Sequence, residues 1–256
     1  SSMAGLRVRS LLVTGANRGI GLGLVQHFLK MPNPPQWVFA GCRDPKGQRA
    51  KELQNLASKH PNLVIVPLEV ASPASINTAA TTVREHVGGS GLNLLINNAG
   101  IAKITLLENE TPENMTETYT TNTVGPLLMG QVRPSPKPGC PGGASWLQLP
   151  YPCPSCEICT HSLAPPFPSH HHPCPVSPQA ALNMLNKCQS LAYKEHGIFC
   201  VALHPGWVQT DMGSSAGHTP PVTVDDSVKG MLKVLSSLSE KDTGTFLDWE
   251  GKVVPW

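Results

Sequence analysis

Long hydrophobic runs are missing from this chain of 256 residues. No apolar stretch approaches the roughly 20 residues of a membrane-spanning helix, so no membrane partner is expected. An excess of one charge is missing too: 19 basic against 17 acidic side chains leave a net +2. That balance gives no electrostatic case for nucleic acid or for an anionic lipid surface. The first residues lack the apolar core of a signal peptide, because the short run at 11–13 leads straight into glycine, and a cytoplasmic location is expected. The eight cysteines are not spread as a disulfide framework would be. Five (Cys140, Cys153, Cys156, Cys159, Cys174) crowd into one stretch, while Cys42, Cys188 and Cys200 read as small buried thiols.

What is present is an alternation of strand and helix patterns, the mark of parallel βαβ units. Strands are expected near 8–14, 36–41, 62–68, 92–96, 198–203 and 244–248. Helices are expected near 19–30, 46–59, 73–87, 111–132, 179–195 and 223–238. The length suits one α/β domain spanning 1–256. The apolar run at 11–13 empties into Thr14-Gly15-Ala16-Asn17-Arg18-Gly19-Ile20-Gly21. In that context Gly15 permits a tight turn, Gly19 lets a phosphate-bearing ligand approach the backbone, and Gly21 lets the helix pack on the strand. The helix amino terminus, with its unpaired N–H groups, then faces the pyrophosphate.

Further motifs follow in order. The strand near 92–96 ends in Asn97-Asn98-Ala99-Gly100, Asn122 lies in the next helical stretch, and His204-Pro205-Gly206-Trp207-Val208-Gln209-Thr210-Asp211 comes near the end. Together with the glycine turn these resemble the short-chain dehydrogenase/reductase family, in its C-factor-like or sniffer-like carbonyl reductase branch. The resemblance covers roughly 8–133 and 180–256. It implies a Rossmann-type doubly wound parallel sheet and a nicotinamide dinucleotide. The cofactor side would comprise Gly15, Asn17, Arg18, Gly19, Ile20 and Gly21 with Arg43, Glu69, Val70, Asn98, Ala99, Gly100, Pro205, Gly206, Val208 and Thr210. Glu69-Val70 stands where the family contacts the adenine; Pro205-Gly206 and Thr210 resemble the turn that holds the nicotinamide amide. A guanidinium forks onto a 2′-phosphate that a carboxylate would repel, so Arg18 and Arg43 favour NADPH, with NAD kept open by Asp44. The family also implies a small carbonyl substrate and self-association through the helix near 111–132.

On the catalytic side the pattern breaks. The family uses a Tyr as proton donor, a Lys four residues on that lowers the Tyr pKa, a Ser on the substrate oxygen and an Asn that maintains the relay. Four residues after Tyr119, Tyr151 and Tyr193 stand Thr123, Ser155 and Gly197. Aligned on Ala180-Ala181-Leu182-Asn183, the Tyr position holds Pro175 and the Lys position Gln179. Of the four catalytic residues, Asn122 alone remains.

Residues 134–178 carry the break, holding thirteen of the chain's 26 prolines. Such density forbids a long helix or a central strand, and only 144–149 offers a short one. This Pro/Cys/His-rich stretch is therefore expected to be irregular or disordered and to replace the region of the family's fifth strand. Without that strand its two neighbours would expose unpaired edges. Cys153, Cys156 and Cys159 with His161, His170, His171, His172 and Cys174 suit zinc, although the hairpin and helix signals of a metal knuckle are absent; no metal ligand is assigned. A replaced exon or a shifted reading frame would explain the abrupt composition change. Three readings stay open: a reductase with impaired catalysis, a non-catalytic NADPH-binding or interaction protein, and a zinc-binding insert on a reductase scaffold.

Overall fold

A computed structural model describes residues 6–103, 107–132, 145–148, 176–216 and 219–255. Among the described residues seven strands form one parallel sheet: β1 (Ser10–Thr14), β2 (Trp37–Cys42), β3 (Leu63–Pro67), β4 (Leu94–Asn97), β5 (Ser145–Gln148), β6 (Phe199–His204) and β7 (Phe246–Asp248). Their order is β3-β2-β1-β4-β5-β6-β7. The chain winds outward from β1 to β3, then returns to pair β4 beside β1. That reversal opens a crevice at the carboxyl ends of β1 and β4, where α/β sheets bind ligands.

Alternate residues of each strand face opposite layers. Leu11, Val13, Val38, Ala40, Ile96 and Leu203 share one core with Leu24 and Phe28 of α1 (Gly19–Leu29), Leu53 of α2 (Lys51–Ala57) and Met231 of α7 (Val224–Ser237). Leu12, Phe39, Val66, Leu95 and Cys200 share the other with Ile76 and Val83 of α3 (Pro73–Val87) and Met129 of α5 (Gly125–Gln131). The helix expected over 111–132 is present but interrupted. After α4 (Pro112–Tyr119) a π-helical stretch, Thr120–Val124, precedes α5. The Thr111 side chain caps α4 and Ser72 caps α3, each with a proline in the first turn.

Two expectations need correction. The sheet does contain a fifth strand: Ser145–Gln148 pairs in parallel with both β4 and β6, so these neighbours are not left with bare edges. The reason is local, since these four residues carry no proline and can supply every N–H a central strand needs. The rest of the segment outside 145–148 and 176–178, including its cysteines and histidines, lies outside the described residues. The second correction is Cys188, which is exposed on α6 (Val176–Ala192), whereas Cys42 and Cys200 are buried. No helix among the described residues is long and apolar enough to cross a membrane.

Phe39 is fully buried, stacks on Trp37 and meets the edge of His86. Phe39→Ala should cost about 3–5 kcal/mol by cavity formation, read as a lower urea midpoint with an unchanged slope.

Candidate functional site

The crevice is a groove of about 1000 Å³. Its floor is fixed by hydrogen bonds between β1 and β4. The backbone N–H groups of Asn98 and Ala99 donate to Thr14 Oγ1 at 3.0 and 2.9 Å. Asn98 Nδ2 donates to the carbonyls of Thr14 and Gly15 at 2.9 and 3.1 Å. The glycine turn is thereby tied to the adjoining strand end. Gly15 and Gly19 have φ of +65° and +54°, a region L side chains avoid. At Gly21 a Cβ would lie 2.3 Å from the Gly15 carbonyl oxygen, so the helix can approach the turn this closely only with glycine.

Of the residues expected on the cofactor side, Gly15, Asn17, Arg18, Gly19, Ile20, Arg43, Glu69, Val70, Asn98, Ala99, Gly100, Pro205 and Thr210 line this groove. Gly21, Gly206 and Val208 stand behind the wall and do not line it. Val208 is buried and bridges to Val222. Asn122 also stands behind the wall, in the π-helical stretch. Its Oδ1 accepts from Ile101 N–H at 2.9 Å and its Nδ2 donates to the Ile101 carbonyl at 2.8 Å. Both ends of this amide are thus committed to the backbone that follows Gly100. Gln179 lies in the first turn of α6; Pro175 and Tyr151 lie outside the described residues.

Sequence reasoning missed several lining residues: Gln48, Arg49 and Glu52 below the turn after β2, and Ile101, Glu117 and Thr121 beside the π-helical stretch. None of these carried a local signal; Asp211 to Ser214, next to Thr210, line the groove as well. Among the described residues no tyrosine, lysine or histidine lines the groove.

The charge pattern suits an anion with several phosphates. The first turn of α1 holds no acidic side chain, and Arg18 at its N-cap makes no side-chain cap, leaving the positive helix end open. Arg18 pairs with Asp211, and Arg43 stands 3.7 Å from Glu69 while mostly exposed. Exposed pairs of this kind are worth at most about 1 kcal/mol, so a phosphate can replace either carboxylate. Asp44, the one carboxylate directly after β2, turns back on its own loop and accepts from Lys46 N–H at 3.3 Å. Burial, aided by Asp44, raises the Cys42 thiol, and burial alone pushes Cys200 up to about 12. Neither thiol is a nucleophile near neutral pH. The cradle, the open helix end and the two guanidinium groups together fit a dinucleotide.

These features define a Rossmann-type sheet with a cradle suited to phosphates, and comparison with known proteins makes the class specific. Residues 9–133 match the family model for short chain dehydrogenases. An uncharacterized oxidoreductase of Schizosaccharomyces pombe is 30% identical, over 95% of this chain and 96% of its own. The NADPH-bound carbonyl reductase from chicken fatty liver is 56% identical, with 98% of this chain and 100% of that one covered and a TM-score of 0.86. The carbonyl reductase Sniffer of Drosophila melanogaster is 30% identical over 98% and 100%, with a TM-score of 0.84. The chain belongs to the short-chain dehydrogenase/reductase family and is similar to its carbonyl reductases.

Asn98→Ala removes the side-chain donors to the partly buried carbonyls of Thr14 and Gly15 and should cost about 1–3 kcal/mol in urea unfolding. In thiol mapping at about pH 8, iodoacetamide should label exposed Cys188 while Cys42 and Cys200 react only after unfolding.

Proposed function

We propose that this chain binds NADPH as a carbonyl reductase of its family would, and that its capacity to reduce a carbonyl is severely impaired. One observation carries the reading. The groove keeps its glycine cradle and guanidinium groups but presents no tyrosine or lysine among the described residues. The preference for NADPH follows from Arg18 and Arg43, whose guanidinium groups can fork onto a 2′-phosphate. The carbonyl reductase from chicken fatty liver is NADPH-bound, which supports the same cofactor here. Glu69 and Val70 would flank the adenine; Pro205, Gly206, Val208 and Thr210 would shape the nicotinamide end, with Val208 acting from behind the wall.

When bound, the dinucleotide supplies a hydride. The chain must then place a proton on the developing alkoxide, and this is where its own residues fall short. Asn122 still anchors the backbone at Ile101. Gln179, at the family's Lys position, carries no charge to depress a neighbouring pKa, and Pro175, at the Tyr position, has no proton to give. General acid catalysis contributes about 10²–10⁴ in rate, and losing it leaves binding without useful turnover. A small carbonyl compound remains the substrate class for whatever activity persists. Self-association along the interrupted helix would cover exposed Met115 and Tyr119 of α4 and Met184 and Leu191 of α6.

Fluorescence titration and steady-state assay test both halves. NADPH should bind more tightly than NADH, and Arg43→Ala should weaken NADPH by about 10–100-fold while leaving NADH unchanged. Carbonyl-dependent NADPH oxidation should fall about 10²–10⁴-fold below that of a family member with an intact Tyr-Lys pair. Turnover comparable to such an enzyme would overturn the proposal.

A further inference from the structure

His204 is the last residue of β6, directly before Pro205 and Gly206, and it does not line the groove. Its Nδ1 lies 3.0 Å from the backbone nitrogen of Gly206. That nitrogen carries a hydrogen to donate, so Nδ1 must be the acceptor, which an imidazole offers only when the proton sits on Nε2 alone. Two other side chains hold the same turn. Ser227, fully buried on α7, donates from Oγ to the Pro205 carbonyl at 2.6 Å. The Trp249 ring closes over Gly206, where an added Cβ would come within 3.0 Å of its Cδ1 and Nε1. Gly206 itself has φ +82°. The turn is therefore built from behind, and Pro205 presents the result to the groove.

We propose that His204 is a positioning residue for the Pro205-Gly206 turn, acting through its neutral Nε2–H tautomer, so that a dinucleotide is gripped at its nicotinamide end only while this imidazole is uncharged. This rests on the dinucleotide reading of the groove. A second proton would put an N–H at Nδ1 facing the N–H of Gly206, turning a hydrogen bond into a repulsion and pushing the turn out of place. Burial lowers the His204 pKa from the ordinary imidazole value, and Asp248 opposes that shift. Asp248 pairs in register with His204 on β7 and is the one charged group that acts on it among the described residues. Its Oδ1 already accepts from the N–H groups of Glu250 and Lys252. Phe246 of β7, edge-on at 6.2 Å, and Ser227 of α7 bring no charge. The sign follows: the grip is complete at and above neutral pH and is lost as pH falls below the ordinary imidazole range.

The test compares the full-length wild type with His204→Asn, whose Oδ1 can accept from Gly206 but does not titrate. NADP+ and adenosine 2′,5′-bisphosphate, which lacks the nicotinamide, are titrated by calorimetry from about pH 8 to about pH 5. The ligands' own phosphate titration is common to both proteins and cancels in the comparison. Wild type should lose about tenfold more NADP+ affinity than His204→Asn across that range, while the bisphosphate profiles coincide. The Gly206 amide resonance of the wild type should shift with the imidazole titration and stay still in His204→Asn. Coincident NADP+ profiles, or a Gly206 amide that does not follow the imidazole, would overturn the assignment. If wild type binds no NADP+ at any pH, the dinucleotide reading fails, and the Gly206 amide alone decides the role of His204.

Discussion

The arrangement depends on one small node, the contact of Thr14 with Asn98 and Ala99 across the ends of β1 and β4. Two N–H groups converge on Thr14 Oγ1, and the Asn98 amide returns two donors to the carbonyls of Thr14 and Gly15. Strand ends are where backbone groups lose their ladder partners, and buried ones must find others. Here they find one another at the point where the sheet reverses direction. The glycine turn, the start of α1 and the peptide after Asn98 are thus held as one piece, and the groove inherits its shape from that piece.

Binding and proton transfer are separable in this architecture. The phosphate cradle belongs to β1, α1 and the ends of β2 and β4, all of which pack into the two apolar layers. The positions at which the family resemblance puts the proton-donating pair, Pro175 and Gln179, lie apart from those elements in the sequence. The parallel pairing of Ser145–Gln148 with β4 and β6 keeps the sheet continuous between them.

Much of this was legible in the sequence because it is written in backbone chemistry. Gly15, Gly19 and Gly21 mark positive φ or close approach, and the alternation of strand and helix patterns marks parallel βαβ units, with the winding of the sheet implied by the family resemblance. The fifth strand was harder to read. Four residues in a proline-rich stretch offer no periodicity, and a central parallel strand is chosen by its neighbours and not by a local turn. Cys188 was misread because a helix has an outer face that composition does not reveal. The Arg18–Asp211 pair joins residues 193 apart, and Glu117 and Thr121 reach the groove only through the path of the interrupted helix. No local pattern encodes either. His204 was seen as part of a motif, but its role depends on a bond to a residue two positions on that only the bent turn creates.

The most direct test of the central claim is the thermal unfolding of the purified chain with and without saturating NADPH. Ligand at about a hundred times its dissociation constant should add roughly 2.7 kcal/mol to a folded, binding-competent state. A single cooperative transition that moves upward with NADPH is the predicted result, and it would show that the cradle folds and binds. A transition that NADPH does not move, or the absence of any cooperative transition, would contradict the account.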